Sequence, residues 1–212
     1  MALVVHPNLV AGPHGPCVTI NRSGKLRPIY LQQSVLDQAC GPHCVYMAMM
    51  ILKLVSRSQL LIMSRGDDEY HPLFNSWLMA QSYWLHGTPT RGLLRLFAGL
   101  EDKITLTAID ETSTKVNQYL ASNYQAHDVY ILNIFNWRAN LDHWLLVVGQ
   151  EIEADGSTSW LTIDPYTPPL GNQLFSGKLK TAKGKISSYH MNNGKVWQAK
   201  ASALLRIQLE HD

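Results

Sequence analysis

Gln38-Ala39-Cys40-Gly41-Pro42-His43-Cys44, continued by Val45-Tyr46-Met47-Ala48-Met49-Met50-Ile51-Leu52-Lys53-Leu54-Val55, is the stretch from which the fold is read. The apolar run has no internal Gly or Pro, is rich in Met, Leu and Ala, and exceeds a typical strand in length. It predicts a buried helix. Pro42 suits the first helical turn, where the N–H it lacks would have no partner anyway. Cys40 then stands at the positive end of the helix dipole, among backbone N–H groups without intrahelical acceptors. That field favours a thiolate, the nucleophilic form of cysteine. A nucleophile so placed needs a base.

The candidate base lies far downstream. Leu141-Asp142-His143-Trp144-Leu145-Leu146-Val147-Val148-Gly149 predicts a buried strand closed by Gly, with His143 near its start. Ser159-Trp160-Leu161-Thr162-Ile163 predicts the next strand and ends on Asp164-Pro165. Between them Glu153-Ala154-Asp155-Gly156-Ser157 carries Asp-Gly, a hairpin signal. Such a hairpin brings Asp164 toward His143, where a carboxylate can accept the imidazole N–H and fix its tautomer. Asp142 is nearer in sequence, but neighbouring side chains on a strand face opposite ways. Asp164 is the expected orienter.

A Cys that starts a helix, a His that opens a strand and an acid that ends the next strand stand in papain-like order. Their wording resembles the peptidase domains that cut leader peptides in bacteriocin-exporting ABC transporters, and the stand-alone relatives of those domains. Cys40-Gly41-Pro42, His143-Trp144 and Asp164-Pro165 carry the resemblance, and Gly87-Thr88-Pro89-Thr90-Arg91-Gly92-Leu93-Leu94 is similar to that family's Gly-Leu helix start. It covers residues 30–166. The resemblance implies a papain-like cysteine peptidase with Cys40, His143 and Asp164 as catalytic residues, a thioester acyl-enzyme, and small residues before the cleaved bond. It also implies a glutamine upstream of the nucleophile that donates to the oxyanion. The usual place, six residues before the Cys, is Ser34 here, and Gln33 stands one further back. Gln38 is too close to fold back over the thiol, so the expected oxyanion residue is Gln33.

Composition bounds the rest. With 212 residues the chain is long enough for one substantial core, read as a single domain over 1–212. An apolar share of 46% and a charged share of 16%, against roughly 25% in average usage, exclude a disordered or highly charged chain. A net charge of +2 gives no reason to expect nucleic acid as a partner. The apolar run ending at Lys53 falls short of the roughly 20 residues of a membrane span. No basic and apolar leader opens the chain, so a reduced, cytoplasmic location is expected, with export by a dedicated apparatus left open. The partner expected is a polypeptide substrate, with no cofactor.

In chain order, residues 1–16 predict an irregular arm, and Cys17–Ile20 with Leu26–Leu31 a hairpin, together an N-terminal embellishment over 1–30. The nucleophile helix is expected to run to about Ser56, with a loop over 64–68. Glu69–Leu85 predicts a helix packed by Leu73, Trp77, Leu78 and Trp84, and Thr90–Leu100 a short one. Lys103–Ile109 predicts a strand, Glu111–Tyr124 a helix capped by Thr112 or Ser113, and Asp128–Phe135 a strand. Residues 165–195 read as a loop-rich embellishment, and Val196–Leu209 as a final strand or two. Helices first and then a mainly antiparallel sheet predict an α+β fold.

Two other classes fit parts of the pattern. Cys17, Cys40, Cys44 and a neighbouring His14 or His43 could serve as ligands in a zinc module, although an apolar helix starts inside the second group. A papain-fold glutamine deamidase or transglutaminase-type toxin would use the same triad. Cys44, one helical turn beyond Cys40, reads as packing or a resolving thiol.

Overall fold

The computed structural model describes residues 2–20, 24–34, 36–66, 71, 73–181 and 187–210. The elements in chain order are β1 (Ala2–Val5), β2 (Leu9–Gly12), β3 (Gly15–Ile20), β4 (Lys25–Pro28), α1 (Cys40–Ile51), α2 (Arg57–Ser64), α3 (Phe74–Gln81) and α4 (Thr90–Arg95). They continue with β5 (Ile104–Asp110), α5 (Ser113–Asn123), β6 (Val129–Asn136), β7 (Leu141–Ile152), β8 (Thr158–Ile163), β9 (Gly177–Lys180), β10 (Ser187–Met191) and β11 (Val196–Leu209). No helix among the described residues is long and apolar enough to cross a membrane.

The apolar run forms α1, and every residue of it except His43 is buried. A helix apolar all round must be covered all round; β6, β7 and α4 cover part of it. Its end is a Schellman motif: the Lys53 N–H donates to Met50 O and the Leu54 N–H to Met49 O. Lys53 takes the left-handed position of that motif, with φ 60. The helix therefore stops short of Ser56, and Ser56 instead caps α2 by a reciprocal exchange with Gln59.

The strands correct the expected architecture. Helices packed on an open antiparallel sheet, the papain-like α+β arrangement, is not the fold. Strands β7, β6, β11, β10, β9 and β8 follow one another around a ring, and β8 pairs back to β7. The chain is built on this closed, six-stranded antiparallel barrel. Two elements that the sequence hides close it. Strands β9 and β10 lie within 165–195, the stretch expected to be loop, and they carry β8 across to β11. Each is short and polar on alternate positions, so neither interrupts a Pro- and Gly-rich background. Nor is 1–16 an irregular arm: β1 pairs with the far end of β7, and β2 with β3.

Period-two alternation sorts the side chains. Tyr130, Leu132 and Ile134 of β6, Leu145 and Val147 of β7, Trp160, Leu179, Tyr189 and Leu204 fill the barrel. The opposite parity (Val129, Ile131, Trp144, Leu146, Val148, Ile163) meets α1 outside it. A bulge at Ser202 shifts the phase of β11. Before the bulge β11 pairs with β10, and beyond it with β5 on the same edge. The hairpin of β3 and β4 forms as expected, although residues 21–23 of its turn lie outside the described residues. Of the helix expected over 69–85 only α3, Phe74–Gln81, forms, followed by turns, while Glu69, Tyr70 and Pro72, with Asp67 and Asp68 of the expected loop, lie outside the described residues.

Candidate active site

Three elements meet at one rim of the barrel. Cys40 is the first residue of α1, and its N-cap, Ala39, offers no side chain to the helix end. Gly41 lets the loop before α4 close over that end: a Cβ there would sit 2.7 Å from the Thr88 Cβ. The Trp144 indole N–H locks the same loop by donating to Thr88 O at 2.8 Å. These contacts give the Cys-Gly pair and the Gly87-Thr88-Pro89 stretch a shared physical role.

His143 lies on β7 with the inward parity and is 5% exposed, whereas Asp142 points out to solvent. Extending the β7–β8 register sets Asp164 opposite Leu145, diagonal to His143 on the same face. The His143 Nε2–H donates to Asp164 Oδ1 at 2.7 Å. Cys40 stands beside the same ring, close enough to act on its charge, with its Sγ 4.0 Å from Gln38 O. The structure thus brings together Cys40, His143 and Asp164, the three residues expected from the sequence. Burial alone would drive the imidazole toward its neutral form. The Asp164 carboxylate, with a smaller contribution from Cys40, outweighs it and holds the His143 pKa up at about 10. Burial would raise Asp164, but the His143 charge and three hydrogen bonds to the carboxylate keep it below the usual value.

No protein-family model and no curated protein matches the chain.

Asp164 is held more tightly than the sequence suggested. Its Oδ1 also accepts the Tyr166 N–H at 2.8 Å, its Oδ2 accepts the Tyr189 hydroxyl at 3.0 Å, and its own N–H donates to Ser176 Oγ at 2.7 Å. Tyr189 reaches it because residue 177 is glycine: a Cβ there would fall 2.5 Å from the phenol oxygen. Trp197 lies edge-on to the His143 ring, centroids 5.9 Å apart. Sequence reasoning missed Tyr189, Ser176 and Trp197. The alternation Ser187-Tyr189-Met191 was the available signal, inside a stretch dismissed as loop.

Gln33 and Gln38 both line the cleft that holds Cys40 and His143, a space of about 1080 Å³. The Gln33 N–H and the Tyr30 hydroxyl both donate to Pro165 O, tying this segment to the Asp164 corner. The Gln33 Nε2 donates one proton to Asp37 O at 2.7 Å, which leaves its second proton. Its Oε1 is buried without a partner among the described residues. Ser34 contributes backbone and hydroxyl contacts to the same loop.

The remaining cysteines stay outside the chemistry. Cys44 is wholly buried, its thiol donates to Trp144 O, and burial pushes its pKa well up. Cys17 lies on β3 with its sulfur toward Gly15 O, and burial raises it too. Among the described residues, no three of His, Cys, Asp or Glu gather as metal ligands, so the zinc arrangement of Cys17, Cys40 and Cys44 is not assembled. His43 spends its Nδ1 on Ala39 O.

Proposed function

We propose that the protein is a cysteine peptidase that hydrolyses a peptide or isopeptide bond through Cys40, His143 and Asp164. The observation that carries this reading is the 2.7 Å His143–Asp164 bond, beside a helix-starting cysteine that lines the same cleft as His143. The motif resemblance to bacteriocin leader peptidases supports the same activity and substrate class. His143 takes the Cys40 proton, and the imidazolium, steadied by Asp164, is the counter-ion of the thiolate. The thiolate attacks the carbonyl carbon, and the oxyanion forms among the backbone N–H groups at the start of α1 and the second Gln33 Nε2 proton. His143 gives its proton to the leaving amine, which departs. Water, deprotonated by His143, then cleaves the thioester to a carboxylic acid and the Cys40 thiol.

The test is iodoacetamide labelling at neutral pH with mass-spectrometric mapping, joined to cleavage profiling on a peptide library. Cys40 labels first, Cys17 and Cys44 stay protected, and Cys40→Ala abolishes cleavage. Equal labelling of the three cysteines in folded protein overturns the reading. Ammonia release from glutamine without chain cleavage would instead assign a deamidase.

A further inference from the structure

We propose that a second concavity, between the small β2–β4 sheet and the α1–α2 junction, binds a small anionic amphiphile: one phosphate-like or carboxylate head on an apolar tail. The space is about 400 Å³, the size of a small-ligand site, and shares no lining residue with the Cys40 cleft. Its rim carries Arg27, Lys53 and Arg57, and among the described residues no carboxylate lines it. None of the ion pairs among the described residues includes these three cations. Three like charges around one hollow repel each other, and an anion between them removes that repulsion.

The floor is apolar, formed by buried Val18, Ile29 and Met50. Beyond Leu61 and Arg57 the space adjoins a smaller hollow of about 150 Å³, also walled by apolar side chains that include Tyr46 and Trp77. A cationic rim over an apolar floor matches a ligand with both characters, not a bare ion. The α2 N-terminus is not the main attraction, because the Ser56–Gln59 capping box already takes two of its N–H groups. The side-chain charges are.

Lys53 adds an independent argument. It sits in the left-handed position of the α1 Schellman motif, φ 60, where glycine fits without strain and a Cβ does not. A lysine in that position carries backbone strain beside the hollow that it lines.

The same residue makes the test clean, since Lys53→Gly removes the cation while relieving the backbone. Titration calorimetry on the intact chain compares monomeric octyl phosphate, octanol, inorganic phosphate and anionic phospholipid vesicles. The expected result is saturable one-to-one binding of octyl phosphate, weakened about tenfold or more by Lys53→Gly and by Arg27→Gln, with the Lys53→Gly melting temperature unchanged or higher. Octanol or inorganic phosphate binding as tightly as octyl phosphate overturns the proposal, because one half of the amphiphile would then be idle. So do binding to vesicles alone, wild-type affinity in Lys53→Gly, or no binding at all.

Discussion

Tyr189 hands its hydroxyl proton to the Asp164 oxygen that His143 does not use. Without that donor Asp164 Oδ2 is buried with one fewer partner, and the protonated acid becomes relatively more favourable. Tyr189→Phe therefore moves the acid limb of the kcat profile to higher pH and lowers kcat with KM little changed. Gly177→Ala reproduces that signature by pushing the phenol aside. A lowered melting temperature with an unmoved acid limb would make Tyr189 packing alone. Gln33→Ala is expected to cost about 10²–10³ in kcat while leaving Cys40 alkylation unchanged, because the donor serves the oxyanion and not the thiolate. Asp142→Asn stays near wild type, since that side chain points away from the ring. Cys40, His143 and Asp164 were legible because each sits where an element begins or ends: a Pro-marked helix start, a strand start, an Asp-Pro corner. Tyr189 and Ser176 were not, because their roles arise only once the ring has brought β10 and the approach to β9 alongside β8.

At the scale of the elements, the sequence carried the long apolar ones and lost the short ones. Strands β6, β7 and β8 and helix α1 announce themselves by length, with eight, twelve, six and twelve residues, most of them buried. Strands β9 and β10 have four and five, and their inward positions are only Gly177, Leu179, Ser187, Tyr189 and Met191. That shortage turned a closed barrel into an expected open sheet. It also concentrates the closure energy in few side chains. Leu179 is fully buried inside the ring, so Leu179→Ala is expected to cost about 2–5 kcal/mol in urea unfolding. Lys180, the next residue and exposed, should change stability by no more than about 0.5 kcal/mol when replaced by Ala. Equal effects would mean that β9 is not a wall of the barrel.

For the whole molecule, two buried histidines set opposite slopes of stability with pH. His6 donates its Nε2–H to His127 O and accepts the Asn8 N–H at Nδ1, so a second proton would displace an acceptor. Burial lowers its pKa to about 4 from 6.5. Its stabilisation is complete above pH 6.5 and drains away as pH falls toward 4. His143 is shifted the other way, to about 10, so its contribution is complete below pH 6.5 and is lost as pH rises through 10. Each limb falls by about 1.4 kcal/mol per pH unit, and urea midpoints should crest near pH 6.5. His6→Asn flattens the acid side alone; an unchanged acid side would remove His6 as its cause. The chain's far end has a consequence of its own. Strand β11 joins the ring by holding β6 on one edge and β10 on the other. Until residues 196–209 have left the ribosome, β11 cannot close the ring and Trp197 cannot lie against His143, whatever has already folded upstream. Translation thus delivers Cys40, the proposed nucleophile, well before the ring beside His143 can close.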